Sequence, residues 1–516
     1  MLRGLWVCCF VACTSSGNTS RDGFAEGLSF EVVVDPVLAT VRTGPAGGWE
    51  SADMFSGGVV FRDLDGDDRP DLLVARSSAI ASEQGVTLLR QHEDGSFEDV
   101  SELAGVTYRG PATAAVAGDL NGDGRPDLYV ATEADGDRLY LQRENFRFEE
   151  VGERAGIRAT GRRSRSIALL DYDNDGWLDI YVLDWNGQGP LGMDGGASAH
   201  DAPNVLYRNL GDERFEDVTD EAGVACAGRS SLGVGAADLD ADGDSELYIA
   251  NEFFDDCLYE NLGDGTFRLI NDHANVGTHA NGGMGVAFGD ADGDGDLDIV
   301  VTDDLYEDGA RGNPVYRNDG GLRFENVAAA WGLEGAESVA QGAAIYWGVA
   351  FRDFDLDGRM DLHMAQHATG PDYVFRWSDD RFEAISRDRF SLDGDVRGSA
   401  YADLDRDGRV DLVAVGRGGP VELRRNRGGA GQAFLRIRLE GPGANLEAIG
   451  ALVYVEACGS TTVHSVQAGT GYLSASEPIV TAGLGRCTRA NVRVLFPGGE
   501  ERVLRARANE DLTIGF

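Results

Sequence analysis

Short apolar runs recur along the chain in pairs, and a nine-residue acidic segment separates the two members of each pair. The run before each acidic segment is rich in glycine and alanine. The run after it reads DLLVA, DLYVA, DIYVL, ELYIA, DIVVT, DLHMA or DLVAV. Apolar runs of roughly four to eight branched residues, bounded by polar turn residues, are typical of buried β-strands. The pattern therefore predicts β-hairpins whose turns are the acidic segments.

Two further runs follow most of these hairpins, one of the LYRN type and one of the FEDV type. Each repeat unit thus contains four predicted strands, as the blade of a β-propeller does. The acidic segments, called loops one to seven here, begin at Asp63, Asp119, Asp171, Asp238, Asp290, Asp353 and Asp403. We therefore predict an all-β fold, with a seven-bladed β-propeller over residues 28–427.

The last predicted blade lacks its FEDV-type strand, because the chain changes character after Val421–Asn426. A copy of that strand stands near the start of the chain, in Ser29–Val33. We predict that this N-terminal strand completes the seventh blade. Such closure would remove two exposed sheet edges at once.

Every acidic segment has oxygen-bearing side chains at its positions 1, 3, 5 and 9. A hard cation such as Ca²⁺ takes roughly six to eight oxygen ligands, and a glycine near position 6 lets the chain turn around it. An EF-hand loop begins in the same way but needs a glutamate at position 12. Position 12 is apolar in all seven copies, which excludes the EF-hand: Val74, Val130, Val182, Ile249, Val301, Met364 and Ala414.

The predicted cofactor is Ca²⁺, with up to seven ions bound by the side chains at positions 1, 3, 5 and 9. These ligands are Asp63, Asp65, Asp67 and Asp71; Asp119, Asn121, Asp123 and Asp127; Asp171, Asp173, Asp175 and Asp179; Asp238, Asp240, Asp242 and Glu246; Asp290, Asp292, Asp294 and Asp298; Asp353, Asp355, Asp357 and Asp361; Asp403, Asp405, Asp407 and Asp411. Loop one departs from the pattern, because Asp68 replaces glycine at position 6. The alternative for any loop is a metal-free turn held by aspartate side chains.

The chain has 88 acidic and 45 basic side chains and a net charge of −43. This charge argues against nucleic acid or an anionic membrane as a partner. Many of the acids lie in the seven loops, so the acidity largely reflects ligand chemistry. Extracellular calcium modules bind at roughly 10⁻⁴ to 10⁻³ M, which predicts a calcium-rich compartment outside the cell.

The N-terminus resembles a bacterial lipoprotein signal over residues 1–13, with Cys13 as the lipidation site and residues 14–27 as a spacer. The protein is then a lipoprotein of the outer membrane or cell surface, and the lipid is its one membrane contact. A cleaved secretory signal is the alternative. Four cysteines remain, and we expect the pairs Cys226–Cys257 and Cys458–Cys487, with free buried thiols as the alternative.

Residues 433–516 contain no acidic ladder, and their short apolar runs predict a small all-β domain. The ladders and FEDV-type strands resemble FG-GAP or VCBS repeats, the propeller units also found in integrin α-subunits. The tail, with AIGALVYV, GTGYLSAS and NVRVLFPGGEERVL, resembles the ASPIC and UnbV domain. Together they resemble the cartilage acidic protein family and its bacterial relatives. That resemblance implies an extracellular, calcium-loaded binding or adhesion module without a defined ligand.

Long insertions at 185–203 and 331–347 should project from the face opposite the calcium loops. They carry Trp185, Trp331, Tyr346 and Trp347, which suit recognition of a protein or polysaccharide ligand. The alternative is that these aromatics pack the insertions onto the propeller. We predict no catalytic residue and no organic cofactor, because no GxSxG, HExxH, P-loop or paired CxxC motif occurs. The second hypothesis is a calcium-dependent lyase or glycosidase with its site in the central pocket on that opposite face.

Overall fold

The structure is a computed structural model. It describes residues 28–43, 57–76, 84–144, 146–157, 160–185, 202–277, 282–303, 312–333, 345–366, 372–385, 390 and 395–516. The predicted signal, its Cys13 and the spacer lie outside the described residues, as does most of both long insertions. No helix among the described residues has the length and apolar character needed to cross a membrane.

The repeat region is built from antiparallel strands, and the third strands of its units are followed by a fourth in the order that the sequence predicted, but units two and three are joined in one eight-stranded sheet and are not separate four-stranded blades. After strand β1 (Phe30–Val33), the strands of each unit follow in chain order. They are β2 (Val59–Arg62), β3 (Asp71–Ala75), β4 (Val86–Gln91) and β5 (Phe97–Asp99); β6 (Ala112–Gly118), β7 (Asp127–Asp135), β8 (Arg138–Glu144) and β9 (Arg147–Glu150); β10 (Thr160–Leu170), β11 (Asp179–Asp184), β12 (Val205–Asn209) and β13 (Phe215–Asp217); β14 (Ser230–Ala237), β15 (Glu246–Glu252), β16 (Cys257–Asn261) and β17 (Phe267–Leu269); β18 (Val286–Gly289), β19 (Asp298–Val301), β20 (Val315–Asn318) and β21 (Phe324–Asn326); β22 (Tyr346–Arg352), β23 (Asp361–Gln366), β24 (Tyr373–Ser378) and β25 (Arg381–Ala384); β26 (Val396–Ala402), β27 (Asp411–Gly416) and β28 (Val421–Asn426).

Each acidic loop joins the first two strands of its unit, as the apolar pattern predicted. Its position 9 residue pairs with the residue just before position 1, as in Arg62 with Asp71 and Gly289 with Asp298. The first strands contact one another in a closed order, from β2 through β6, β10, β14, β18, β22 and β26 back to β2. The predicted all-β, propeller-like architecture is confirmed.

The N-terminal strand lies where the sequence predicted it. Strand β1 pairs antiparallel with β28, with Phe30 opposite Asn426 and Val33 opposite Leu423. Phe30 also packs edge-on against Phe354, with 5.6 Å between the ring centroids. The seventh unit therefore takes its fourth strand from the other end of the region, which covers an otherwise open sheet edge.

Short helices follow several fourth strands and end at a residue with left-handed backbone conformation, a common way to stop a helix. The one-turn α-helices are Ser101–Ala104, Gly152–Ala155, Thr219–Ala222 and Asn271–Ala274, and Leu38–Thr40 forms a 3₁₀ turn. Both expected disulfides are present, Cys226–Cys257 within unit four and Cys458–Cys487 within the C-terminal domain.

The C-terminal domain is all-β, as predicted, and consists of two small sheets. Its strands are β29 (Ala433–Glu440), β30 (Leu452–Ala457), β31 (Ser460–Ser465), β32 (Ala475–Ser476), β33 (Val480–Gly485), β34 (Arg489–Leu495), β35 (Glu501–Arg507) and β36 (Glu510–Gly515). One sheet has the order β33-β29-β36, and the other has the order β31-β30-β34-β35. The remaining strand, β32, pairs with the repeat region instead.

Residues 466–477 of the C-terminal domain, called the central segment here, enter the ring of first strands. Ala475 pairs with Val60 of β2, Ala468 with Leu169 of β10, and Gly471 with Val286 of β18. The fully buried Tyr472 ring lies 4.8 Å from the ring of Trp347, at the beginning of β22. The central segment therefore contacts first strands on several sides of the ring and fills its middle.

Candidate metal centres and the domain interface

The position 1 aspartate organises each acidic loop by accepting hydrogen bonds from the loop backbone. In loop one, Asp63 Oδ1 accepts from the amides of Asp65, Gly66 and Asp67 at 2.8–3.2 Å. Its Oδ2 accepts from the amide of Asp68 at 2.8 Å. Loop two repeats the arrangement around Asp119. The backbone thus wraps around one carboxylate and holds the next side chains on the same side.

This wrapping needs left-handed backbone at positions 4 and 6 of every loop. Position 6 has a φ of 82–99° in the six loops with glycine there, and Asp68 takes a φ of 62° in loop one. The missing glycine therefore leaves the turn unchanged, because aspartate tolerates this region better than most residues do. Position 4 is also left-handed where it is not glycine, at Asn174, Ala241, Leu356 and Arg406.

The position 9 carboxylate is buried in all seven loops and bridges two elements. Asp71 accepts one hydrogen bond from the amide of Leu64 in the loop and one from the amide of Gln91 in the third strand. Asp298 does the same with Ala291 and Asn318. Burial raises the pKa of Asp127 to about 8, and it raises the pKa of Asp71 and Asp298 well above the usual range. The protein thus places an acid where ionisation is costly without a nearby cation.

Most loops bring three carboxylates together. The clusters, within which one oxygen of each residue lies within 4.8 Å of the others, are Asp63, Asp65 and Asp71; Asp171, Asp173 and Asp179; Asp238, Asp240 and Glu246; Asp290, Asp292 and Asp294; and Asp353, Asp355 and Asp357. In loop seven, the charges of Asp403 and Asp405 raise the pKa of Asp411 in addition to its burial. Loop two places Asp119 and Asp123 close enough to act on Asp127 in the same way.

The donor set fits a hard divalent cation. All of the donors are oxygens, as Ca²⁺ prefers, and they converge at a distance where like charges repel. Asp171 Oδ1 is buried and has no hydrogen-bond partner among the described residues. Burial, followed by the charges of neighbouring loop acids, raises the pKa of Asp171 to about 7 and that of Asp240 to about 6. A bound cation would remove this penalty and occupy the free oxygen.

Arginines compete for the same carboxylates in several loops, which the sequence reasoning missed. In unit six, Arg376 of the third strand bridges Asp355 at 2.5 Å and Asp357 at 2.9 Å. Arg208 bridges Asp173 and Asp175 in the same way. Arg90 and Arg425 approach the position 3 acids of loops one and seven. Within the described parts of the chain, the acids of loops four and five have no such arginine partner.

A second missed feature is a set of side-chain amides that join neighbouring units. In five of the seven units, the last residue of the third strand donates its side-chain amide to the position 2 carbonyl of the loop in the preceding unit. These hydrogen bonds are Gln142 to Leu64, Asn209 to Leu120, Asn261 to Tyr172, Asn318 to Leu239 and Asn426 to Phe354, all at 2.8–2.9 Å. The repeated asparagine of LYRN was the available sequence signal. Each such amide fixes one acidic loop to the next unit.

The C-terminal domain lies against the acidic loops. Asp290 Oδ2 of loop five accepts a hydrogen bond from the amide of Val463 at 3.0 Å. The carbonyl of Gly176 in loop three accepts from the amides of Ala444 and Asn445. Arg438 forms an ion pair with Asp68 of loop one at 2.8 Å. The loops are therefore not only candidate metal centres but also the surface on which the second domain is seated.

The aromatic residues of the two insertions pack inside the protein and do not form a recognition surface. Their side chains are 2–7% exposed: Trp185, Trp331, Tyr346 and Trp347. Trp331 packs edge-on against Trp377 at 4.9 Å, and the guanidinium of Arg397 lies 4.0 Å from the ring of Trp347. The structure therefore supports the packing alternative, because their apolar rings cover the ends of strands.

The side chain of His363 is also enclosed within the protein. His363 is fully buried in β23, with Nδ1 2.7 Å from Tyr401 Oη and Nε2 3.6 Å from the carboxylate of Asp372. Residues 279 and 367, the sites of two further histidines, lie outside the described residues.

Family comparisons agree with the two-part architecture. The FG-GAP-like repeat matches residues 63–130, 119–182, 255–301 and 353–414, and the family named ASPIC and UnbV matches residues 441–515. The chain is 27% identical over 436 residues to cartilage acidic protein 1 of Mus musculus and 27% identical over 421 residues to that of Homo sapiens. The matches cover 78% and 76% of this chain and 64% and 61% of the relatives, so it spans less than two thirds of their length.

Similar solved structures have low scores. An Agrocybe aegerita lectin described as recognising non-reducing terminal N-acetylglucosamine has a TM-score of 0.41 and 18% identity, over 71% of this chain and 93% of the lectin. YCF48 bound to a D1 peptide has a TM-score of 0.45 and 10% identity, over 77% and 94%. Scores this low carry no argument about function.

The family matches agree with the architecture seen in the structure, in which repeated acidic hairpin loops are followed by a C-terminal domain. They also agree with the resemblance that the sequence motifs indicate. They point to an extracellular module of the binding or adhesion type. The chain belongs to the FG-GAP repeat proteins that carry a C-terminal ASPIC and UnbV domain.

Proposed function

We propose that the protein is a calcium-binding, extracellular or cell-surface binding module without catalysis of its own, whose ligand is a protein or a polysaccharide. The observation that carries this proposal is the convergence of carboxylates in the hairpin loops, within 4.8 Å of one another. Oxygen-only donor sets of this kind suit Ca²⁺. The residues that would hold it are the side chains at positions 1, 3, 5 and 9 of each loop.

Bound calcium would supply positive charge to clusters that the protein leaves only partly neutralised. The backbone of each loop orients the position 1 carboxylate, and the third strand orients the position 9 carboxylate. The same loops contact Val463, Ala444 and Arg438 of the C-terminal domain. Bound calcium would therefore also stabilise the interface between the two domains. The proposed role of the metal is thus structural, and ligand binding depends on it indirectly.

A carbohydrate-active enzyme is the competing hypothesis, and no specific observation favours it. Its expected site was the central pocket, where the central segment now contacts β2, β10 and β18. We therefore propose a binding module, and the experiment below also measures whether the protein degrades polysaccharide.

The test is a glycan and protein array probed with the mature chain in calcium, in chelator, and in chelator followed by excess calcium. The proposal expects a ligand that is bound in calcium, lost in chelator and recovered on calcium addition, with no product released from any glycan. Asp290→Asn with Asp298→Asn removes charge from one loop only, and the matched control is Asp319→Asn, an exposed turn acid in the same unit. Product release, or binding that is unaffected by chelator, would contradict the proposal.

Attachment to a membrane through Cys13 is a further part of the proposal, supported by the residues around it. Cys13→Ser should move the protein from the membrane fraction to the medium without changing its calcium response. Mass spectrometry of the N-terminal peptide would distinguish a diacylglyceryl cysteine from a simply cleaved signal. Recovery of the unmodified chain in the medium in both cases would exclude the anchor.

A further inference from the structure

A largely enclosed cavity of about 70 Å³ lies between units five to seven of the repeat region and the C-terminal domain. The repeat region contributes Arg352 and Tyr401 to its wall, and the C-terminal domain contributes His464, Ser465 and Gln467. None of these five residues is part of the acidic loops. The cavity therefore lies in the domain interface, beside Asp353 and Asp403, the position 1 acids of loops six and seven.

Arg352 places an unpaired positive charge in this wall. Its guanidinium makes one hydrogen bond, from Nη1 to the carbonyl of Phe351 at 2.8 Å. The ring of Tyr401 lies 5.1 Å away and offers a weak cation–π contact. Among the described residues, no carboxylate comes within ion-pair distance of this guanidinium. Arg352 thus differs from Arg376, which bridges two aspartates in the same unit.

Two polar side chains on the C-terminal side of the cavity lack partners. Ser465 Oγ and Gln467 Nε2 are buried and have no hydrogen-bond partner among the described residues. His464 makes one long contact, with Thr462 Oγ1 at 3.4 Å from Nε2. Burial, followed by the charge of Arg352, lowers the pKa of His464 to about 4. The imidazole is therefore neutral at physiological pH, and among the described residues Arg352 is the cation whose charge acts on His464.

Three acidic residues also border the cavity, and each is engaged elsewhere. Asp353 accepts hydrogen bonds from the amides of Asp357 and Gly358 in its own loop. Asp403 does the same with its own loop, and Glu477 forms an ion pair with Arg436 at 3.2 Å. None of them compensates the charge of Arg352.

A partly buried charge without a counter-ion and a buried donor without an acceptor both destabilise the folded protein. One acceptor placed in the cavity would serve Arg352, Ser465 and Gln467 together. Water alone would satisfy the donors but would leave the charge uncompensated. The volume is sufficient for a halide or formate.

We propose that this cavity binds one small monovalent anion, held between Arg352 of the repeat region and Ser465 and Gln467 of the C-terminal domain. The anion then joins the two domains, because its hydrogen-bond donors come from both. This inference goes beyond the proposed function but rests on it in one respect: Asp353 and Asp403, which border the cavity, are ligands of the proposed calcium sites, and bound calcium would neutralise their charges. The cavity wall is present whether or not the loops bind calcium.

The first test compares thermal unfolding of the mature chain in calcium with chloride, formate or isethionate as the sodium salt, at one ionic strength. Isethionate is larger than chloride or formate and serves as the reference anion. Chloride and formate should raise the midpoint by about 2–4 °C over isethionate. Arg352→Met should abolish that difference. Arg381→Met, which removes an exposed arginine paired with Glu383 in the same unit, should retain it.

An anion response that is equal in Arg352→Met and in the unchanged protein would overturn the proposal. A second measurement remains informative if Arg352→Met does not fold. Crystals of the unchanged protein grown in bromide should show an anomalous peak in the cavity, within hydrogen-bond reach of the Arg352 guanidinium. Density for water only, with no anomalous signal there, would contradict anion binding.

Discussion

Loop four and loop six have the same backbone conformation but differ in the charged residue that lies next to their carboxylates. In unit six, Arg376 of the third strand lies between Asp355 and Asp357. The equivalent third-strand residue of unit four is Glu260, whose charge adds to those of the loop acids and to burial in raising the pKa of Asp240 to about 6. Loop six therefore carries an internal counter-ion, whereas loop four carries an additional repulsive charge.

The difference shows that one repeated motif need not mean equal dependence on metal. In loop six, an entering ion has to displace an arginine that already stabilises the carboxylates. In loop four, nothing among the described residues competes for them. We therefore expect loop four to bind calcium more tightly and to lose more order when calcium is removed.

Removing calcium should produce the largest effect and should separate the two loops. With several sites emptied at once, the unfolding midpoint should fall by about 10 °C or more. Hydrogen exchange followed by mass spectrometry should show greater deprotection in residues 238–246 than in residues 353–361. Equal deprotection of both loops would contradict the claim that loop four depends on calcium more than loop six does.

The stabilisation by calcium should depend on pH. Burial raises the pKa of Asp238 to about 7, whereas an aspartate in the unfolded chain titrates near pH 4. Between about pH 4 and 7 the folded metal-free protein binds more protons than the unfolded chain, so its stability falls as the pH rises. Calcium needs the ionised form, and it should therefore raise the unfolding midpoint more at about pH 8 than at about pH 5. Differential scanning fluorimetry with and without calcium measures this, and a shift that is independent of pH would contradict it.

Neutralising position 3 should have opposite effects in the two loops when calcium is absent. Asp240→Asn removes repulsion and should stabilise the metal-free protein by about 1 kcal/mol, whereas Asp355→Asn breaks the contact with Arg376 and should destabilise it by about as much. In calcium both variants should be less stable than the unchanged chain, because each loses a charged ligand. Chemical unfolding in chelator gives the signs, and the same sign for both variants would refute the role assigned to Arg376.

Much of this arrangement could be predicted from the sequence, because it depends on local spacing. The hairpin position of every loop and the failure of the EF-hand follow from short-range patterns, and the pairing of β1 with β28 follows from the strand that is missing in the last repeat. The counter-ions could not be predicted in this way, because Arg376 lies on a neighbouring strand and acts across the sheet. The seating of Val463 on Asp290 joins residues 173 positions apart, which no local pattern reveals.

The burial of the aromatic residues in the insertions also could not be predicted from the sequence. Trp185 and Trp347 lie beside long loops in sequence, which made them candidates for recognition. In the structure the Trp185 indole donates to Glu252 at 2.7 Å, and Trp347 packs on Tyr472 of the central segment. Their partners come from a neighbouring unit and from the other domain, so exposure could not be judged from the sequence.

Exchanging the third-strand residue should transfer the behaviour of one loop to the other. Glu260→Arg should supply loop four with a counter-ion, stabilise the metal-free protein by up to about 1 kcal/mol and weaken calcium binding at that loop about three- to tenfold. It should also reduce the pH dependence of the calcium effect. Calorimetric titration compares the variant with Glu325→Arg, a change at an exposed position of β21, the fourth strand of unit five. An equal loss of affinity in both would assign the effect to net charge alone.

The smallest expected effect concerns the backbone of loop four. Ala241 is exposed and has a φ of 60°, which glycine adopts without strain. Ala241→Gly should therefore stabilise the protein by about 0.5–1 kcal/mol. The matched control is Ala227→Gly in the same unit, where the backbone is not left-handed and glycine should destabilise by a similar amount. Thermal unfolding of both variants should give midpoints that move in opposite directions.

The most direct test of the whole account is a crystal structure of the calcium-loaded protein, with anomalous data collected at a long wavelength. We expect a calcium peak in loop four among Asp238, Asp240, Asp242 and Glu246. We expect a weaker peak in loop six, with Arg376 displaced from Asp355 and Asp357. A loop four without calcium at millimolar concentrations, with its carboxylates arranged as they are here, would contradict the central claim.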